Sequence, residues 1–145
     1  MIIGREQILN MIPHAGAMCL LDEVLRWDAV SVRCLSRRYF APGNPLRRRN
    51  GIVGAACGIE IAAQAMAVHG SLTAGAAAPP AGGYLVSLRD VRLSTARLDS
   101  TEGDLLVNAE RLLGDAKTAV YHFSLAVHGA ALLSGRATVI LAPSA

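Results

Sequence analysis

The chain has 145 residues, is 52% hydrophobic and 17% charged, and carries a net charge of +3, which argues against a disordered chain and fits one packed domain spanning 1–145. Its three cysteines, Cys19, Cys34 and Cys57, have neither the number nor the spacing of a disulfide framework or a cysteine metal site. Each lies in an apolar run, where a free thiol behaves as a small buried hydrophobe. The opening Met1-Ile2-Ile3-Gly4-Arg5-Glu6 lacks the pattern of a secretory leader, so the expected compartment is the reducing cytoplasm.

In chain order, Arg5 to Ile12 predicts a short helix that Pro13 ends, because a residue before proline is driven out of helical geometry. His14 to Ala17 is a loop. Met18 to Trp27 and Ser31 to Phe40 predict two strands, the second with Val32, Cys34, Ser36, Arg38 and Phe40 on one parity of mixed polarity. Ala41-Pro42-Gly43-Asn44-Pro45 is a loop. Ile52 to His69 is alanine-rich, free of proline and apolar on every face, which predicts a helix buried in protein. A membrane span is disfavoured because Glu60 and Gln64 would lie in mid-bilayer. Ser71 to Gly83 is a loop of small residues. Strands follow over Tyr84 to Leu93, Asp104 to Leu112, Thr118 to Val127 and Ala131 to Leu141, with hairpin turns at Gly114 and at His128-Gly129. The expected fold class is α+β: an antiparallel sheet wrapped around one long helix, with a second subunit covering the remaining apolar surface.

The polar side chains of that helix are Cys57, Glu60, Gln64 and His69. Glu60 and Gln64, four residues apart, point from one side, and Cys57 lies one turn earlier on it. A carboxyl group among alanines and isoleucines should be disfavoured in its charged form, which suits proton transfer near neutral pH. The competing reading makes Glu60 a structural group that pairs with a buried arginine or caps a polar network. Arg47, Arg48 and Arg49 form a basic cluster without interleaved aromatics, which weakens a nucleic-acid reading; a solvated loop or a contact for the phosphate of an acidic partner fits it better. His122 and His128 have no metal-ligand spacing with another histidine or a cysteine. No nucleophile elbow, P-loop or dinucleotide fingerprint is present.

Ile12-Pro13-His14 with Ala17-Met18-Cys19-Leu20-Leu21-Asp22-Glu23-Val24, and Gly58-Ile59-Glu60-Ile61-Ala62-Ala63-Gln64-Ala65-Met66-Ala67, resemble the opening and the central helix of bacterial 3-hydroxyacyl-(acyl carrier protein) dehydratases. The Gly83 to Val91 run and Gly135-Arg136-Ala137-Thr138-Val139 fit as well, and the chain is most similar to the divergent branch from aryl-polyene pigment clusters. The resemblance implies the hotdog fold, dimerised through its sheets, and removal of water from a thioester carried on the phosphopantetheine of acyl carrier protein, with no further cofactor. It also implies Glu60 as acid/base and Gln64 as the residue that holds it. Gly51 and Gly54 become positions of close backbone approach to substrate, beside helix-start N–H donors. His14, Cys57, Arg47 and Arg48 are the further expected substrate contacts.

One departure from the family matters. The family's histidine, on the loop before the helix, falls on or near Asn44, and no histidine lies between His14 and His69. An amide can hydrogen-bond a carbonyl or hydroxyl but has no useful proton affinity. Asn44 is therefore expected as a polar contact. Glu60 then works alone, or His14 or His69 enters the site, or a homologous hotdog subunit supplies the histidine in a heterodimer. A non-catalytic acyl-binding subunit and a hotdog thioesterase are the rival functions.

Overall fold

The computed structural model describes residues 3–12, 16–41, 43–74, 82–95, 97–100, 103–115 and 118–142. Seven antiparallel strands form one sheet in the order β1-β2-β3-β5-β6-β7-β4, and a long helix lies across it. The elements are β1 (Ile3–Gly4), α1 (Arg5–Leu9), β2 (Glu23–Trp27), β3 (Ser31–Ser36), α2 (Ala55–Ala74), β4 (Gly82–Leu93), β5 (Leu105–Gly114), β6 (Thr118–Val127) and β7 (Ala130–Ala142). This is the sheet-around-a-helix arrangement expected above. No helix among the described residues is long and apolar enough to cross a membrane.

Alternation builds the inner face. Leu105, Val107 and Ala109 of β5 and Ala119, Tyr121, Phe123, Leu125 and Val127 of β6 are buried, while Glu110 and His122 point outward. The mixed parity of β3 resolves the same way: Val32, Cys34 and Ser36 face the core and Arg33 faces out. Each large apolar side chain hidden here contributes about 1.5–3 kcal/mol relative to an exposed one. His128 (φ 50) and Gly129 (φ 78) form the two-residue hairpin between β6 and β7, where both central residues need positive φ.

Several boundaries differ from expectation. The first helix stops at Leu9, and Asn10 and Met11 close it with bonds back to Gln7 and Ile8. Cys19, Leu20 and Leu21 are apolar and buried but, with Asp22, lie outside the sheet ladder; β2 begins only at Glu23. Residues 38–40 form a 3-10 turn rather than the end of β3. The long helix begins at Ala55 rather than Ile52, because Val53 is held by Asp99 and Leu98 and Gly54 bridges to Arg97. It continues to Ala74, through part of the expected loop, with Thr73 Oγ1 bonded back to the carbonyl of His69. Nor is it wrapped on every side. Ala56, Glu60, Ala63, Ala67 and Gly70, at helical spacing, form a stripe that the chain itself covers only in part.

Candidate functional site

The site is assembled from the segment before β2, the loop that leads into α2, and the first turns of α2. Arg5 of α1 donates to the carbonyls of Gly16, Cys19 and Leu21, and Ser36 Oγ donates to the carbonyl of Leu20 at 2.6 Å. These bonds fix a stretch of backbone that has no ladder partner of its own. Gln64, fully buried on α2, reads that stretch from the other side. Its Nε2 donates to the carbonyl of Met18 at 2.7 Å and its Oε1 accepts from the N–H of Leu20 at 2.9 Å. The same Nε2 lies 3.3 Å from Glu60 Oε1 as a donor. The chain thus fixes the carboxylate through an amide whose own position is set by two backbone groups.

Glu60 is half-buried and lines a cavity of about 400 Å³ together with Met18, Leu46, Arg48, Gly54, Ala56 and Cys57. The cavity sits at the helix start, where backbone N–H groups lack an intrahelical acceptor and the helix dipole presents its positive end. Its wall carries one carboxylate, one guanidinium and a thiol among apolar groups. Burial pushes the Cys57 thiol up, with the nearby charge of Glu60 adding to the effect and a hydrogen bond from Asn44 opposing it. Cys57 is therefore a protonated thiol at neutral pH.

Asn44 is placed beneath this wall rather than on it. Only 4% exposed, it donates from Nδ2 to the carbonyl of Tyr39 (3.0 Å) and to Cys57 Sγ (3.4 Å), and its Oδ1 accepts from the N–H of Leu46 (2.9 Å). Its amide is occupied in holding the loop against α2. Arg48 and Gly54 reach the cavity, with the guanidinium of Arg48 lying over Gly54. Arg47 and Gly51 do not line it: Arg47 Nε donates to the carbonyl of Gly51 at 3.3 Å, and Gly51 has φ 85. His14 lies outside the described residues.

His69 is removed from the site. It is fully buried under the sheet, with Nδ1 2.8 Å from the Tyr121 hydroxyl and Nε2 2.9 Å from the carbonyl of Asp28. A carbonyl only accepts, so Nε2 carries the proton and Nδ1 accepts from Tyr121. Burial holds its pKa below the ordinary histidine value and pushes Tyr121 up to about 12. α2 runs on to Ala74 and turns His69 inward, away from the Glu60 cavity that it was one candidate to enter. His122 lies on the outer face of β6. Among the described residues no histidine lines the Glu60 cavity. The contributions of Met18, Leu46 and Ala56 to the wall, and of Arg5 and Ser36 behind it, were not read from the sequence; the opening motif up to Leu21 was the available signal.

Residues 6–145 match the family described as ApeP-like, ApeP dehydratase. No curated protein matches the chain. Among solved structures the dehydratase heterocomplex ApeI:P from Xenorhabdus doucetiae is similar at 22% identity with a TM-score of 0.80, over 92% of this chain and 90% of that one. A mutant thioesterase from Pseudomonas aeruginosa is similar at 14% identity and a TM-score of 0.66, over 96% and 94%. A hypothetical thioesterase from Streptococcus pneumoniae, solved with coenzyme A, has 10% identity and a TM-score of 0.59, over 83% and 85%. At these identities the likeness is one of fold, and the fold is the hotdog.

Proposed function

The chain belongs to the ApeP-like dehydratase family, and we propose on that footing that it takes part in removing water from 3-hydroxyacyl thioesters as one subunit of a paired hotdog dehydratase. The observation that carries this reading is Glu60, clamped by Gln64 at 3.3 Å on the wall of a cavity at the start of α2. The elimination breaks the Cα–H bond beside the thioester carbonyl and the C–O bond of the 3-hydroxyl, and forms a C=C bond. One group must take the α-proton and another must give a proton to the departing hydroxyl. Glu60 fills the second role. The N–H groups at the helix start face the thioester oxygen, where negative charge develops.

The base comes from the second subunit. That assignment is supported by the cavity, which has no described histidine, and by Asn44, whose amide is already bonded on both sides. Pairing itself is supported by the half-covered stripe on α2 and by β4, an open sheet edge on which Leu88, Val91 and Leu93 are 36%, 37% and 53% exposed. The ApeI:P structure is a dehydratase heterocomplex, and we assign a like arrangement here, with a histidine-bearing hotdog subunit as partner. The substrate arrives on the phosphopantetheine arm of acyl carrier protein in the cytoplasm, in aryl-polyene or fatty-acid type biosynthesis. Arg48, on the cavity wall, meets the arm or its phosphate, and Arg47 and Arg49 beside it meet the acidic carrier.

The test is water loss from a 3-hydroxyacyl carrier-protein substrate, followed by mass, with the chain alone, with a histidine-bearing hotdog homologue, and with both. The expected result is turnover in the mixture beyond that of either alone. Glu60→Gln should lower that gain by roughly 10²–10⁴-fold, the range for a positioned acid or base. Full activity with Glu60→Gln in the mixture would sink the role of Glu60. Free thiol without enoyl product would point to thioester hydrolysis instead.

A further inference from the structure

We propose that the open β4 edge disfavours pairing with a second copy of this chain and selects a partner subunit whose own edge strand carries carboxylates on its outer face. The inference rests on the reading that the chain pairs with a second hotdog subunit, and it names what distinguishes that partner. β4 is hydrogen-bonded to β7 along one side and stands last in the sheet. Its register sets Leu88 opposite Ala137 and Leu93 opposite Leu133, both inner-face positions, whereas Arg89 faces Arg136 and Arg92 faces Ser134. Opposed residues share a face. Arg136 is exposed between the buried Gly135 and Ala137, so Arg89, Arg92 and Arg136 all lie on the outer face.

Three guanidiniums therefore gather at the open edge, and the one carboxylate among them is Asp90, in the bulge between Arg89 and Arg92 with φ 53. None of these four side chains has an ion pair or side-chain hydrogen bond with a described residue. The next acid in the row, Glu110, lies beyond His122, two strands and about 10 Å from Arg136 and three strands in from the β4 edge. A shallow cavity of about 250 Å³ lies between Asp90, Arg92, His122, Ser134 and Arg136, large enough for incoming carboxylates.

The two faces of this edge act differently. The apolar row on the inner face favours any strand that covers it. The arginines on the outer face decide which strand that is. Antiparallel docking of two copies would set arginines against arginines, with one Asp90 per copy to offset them, and like charges directly opposed are destabilising. A partner strand with Asp or Glu at those positions meets the same surface with attraction. Repulsion of the wrong partner is a recognised source of specificity, and an edge strand left both apolar and uncharged would pair without discrimination.

The experiment measures association of the full chain by sedimentation, without substrate, at ~20 mM and ~500 mM salt, where screening differs severalfold in length. Self-association of the wild-type chain should be weak at low salt and stronger at high salt. A mixture of wild type with Arg89→Glu/Arg92→Glu should pair at least ~10-fold more tightly than wild type with itself, and that advantage should shrink with salt. The neutral pair Arg89→Gln/Arg92→Gln, which leaves the fold undisturbed if the charge-reversed variant proves unstable, should raise self-association by a smaller factor. A wild-type dimer of equal strength at both salts, or a mixture no tighter than wild type alone, overturns the proposal. So does a chain that stays monomeric in every mixture, since the arginines would then only guard the edge. Because no turnover is read, failure here is separate from failure of the dehydratase reading.

Discussion

Gln64 Nε2 stands 3.3 Å from Glu60 Oε1 and 2.7 Å from the carbonyl of Met18, so a single amide nitrogen ties the carboxylate to the backbone at the far wall of the cavity. Its two hydrogens are both in use and its oxygen accepts from Leu20. Gln64→Ala should strand a buried N–H and a buried carbonyl, lowering stability by about 1–3 kcal/mol in urea unfolding. Gln64→Glu keeps the shape but offers acceptors where donors are needed, beside both Glu60 and Met18. It should shift the pH profile of water loss in the paired enzyme, which a purely structural residue would leave in place. An unchanged profile would confine Gln64 to holding the fold.

Asn44 yields a sharper expectation because its amide meets three partners in a space that is nearly closed. Asn44→His places a larger ring against Tyr39, Leu46 and Cys57 and loses the pattern of one acceptor and two donors. Restoring the family's histidine at this position should therefore not give water loss by the chain alone, and should lower the unfolding midpoint. Asn44→Ala should be destabilised similarly, and loss of the amide that donates to the Cys57 sulfur should push that thiol up further and slow its alkylation at neutral pH. Appearance of lone-chain dehydration in Asn44→His would show that the loop re-forms around the ring and that the partner's histidine is dispensable.

The sequence carried the central relationship and missed its surroundings, for a physical reason. The i, i+4 spacing of Glu60 and Gln64 is local, so an alanine-rich helix puts them side by side whatever else the chain does. The strands after residue 100 alternate cleanly because one face packs on the core and the other meets water. By contrast, residues 19–22 have a strand's composition, but their backbone groups bond to the Gln64 side chain, Ser36 and Leu35. Those partners are distant in sequence and leave no periodic trace. The same holds for the late start of α2, which depends on Asp99 and Arg97, and for the fate of Asn44, which depends on the carbonyl of Tyr39. The open edge at β4 follows from strand order, which local pattern does not encode.

Gly51 sits where the loop reverses into α2, with φ 85 and the Arg47 guanidinium 3.2 Å from where a Cβ would be. An L-residue pays roughly 1–2 kcal/mol in left-handed geometry. Gly51→Ala should therefore cost about that much in chemical unfolding, with the Arg47 side chain displaced from the Gly51 carbonyl. Because neither residue lines the Glu60 cavity, KM should move more than kcat if the loop meets the carrier. An equal loss in both would place Gly51 closer to the chemistry than this geometry does.

The Tyr121 hydroxyl donates to His69 at 2.8 Å beneath the sheet. Tyr121→Phe removes the donor and leaves a buried imidazole nitrogen without one, a loss of about 1–3 kcal/mol. The linkage sign follows from the lowered histidine pKa: folding favours the neutral ring, so the contribution is full above the unfolded value near 6.5 and declines as pH falls below it, down to the folded value. Wild-type stability should accordingly drop as pH falls from neutral through the ordinary histidine value, and His69→Gln, which cannot titrate, should show a flatter curve as the pH falls. Parallel curves would mean that His69 does not titrate differently on folding.

Asp99 anchors the start of α2 and supplies the other pH test. The Arg97 guanidinium beside it lowers its pKa to about 2 from an ordinary 3.8, and its Oδ1 also accepts from the N–H of Val53 at 2.9 Å. A depressed carboxylate contributes stability above its unfolded pKa and loses it as pH falls through the folded one, so the window runs from about 4 down to about 2. Asp99→Asn keeps an oxygen for Val53 but gives up the ion pair, and should be less stable than wild type at pH 6 with the gap closing toward pH 2. The Arg97 side chain is half exposed while Asp99 is largely covered, so added salt should narrow the same gap only in part. Amide exchange at Val53 and through the first turn of α2 is the direct readout: protection there should fall with acid in the wild-type chain before it falls in β5 and β6. If the helix start keeps its protection to pH 2 while the sheet opens, Asp99 is a surface ion pair and the cavity floor is held by Asn44 and Gln64 alone.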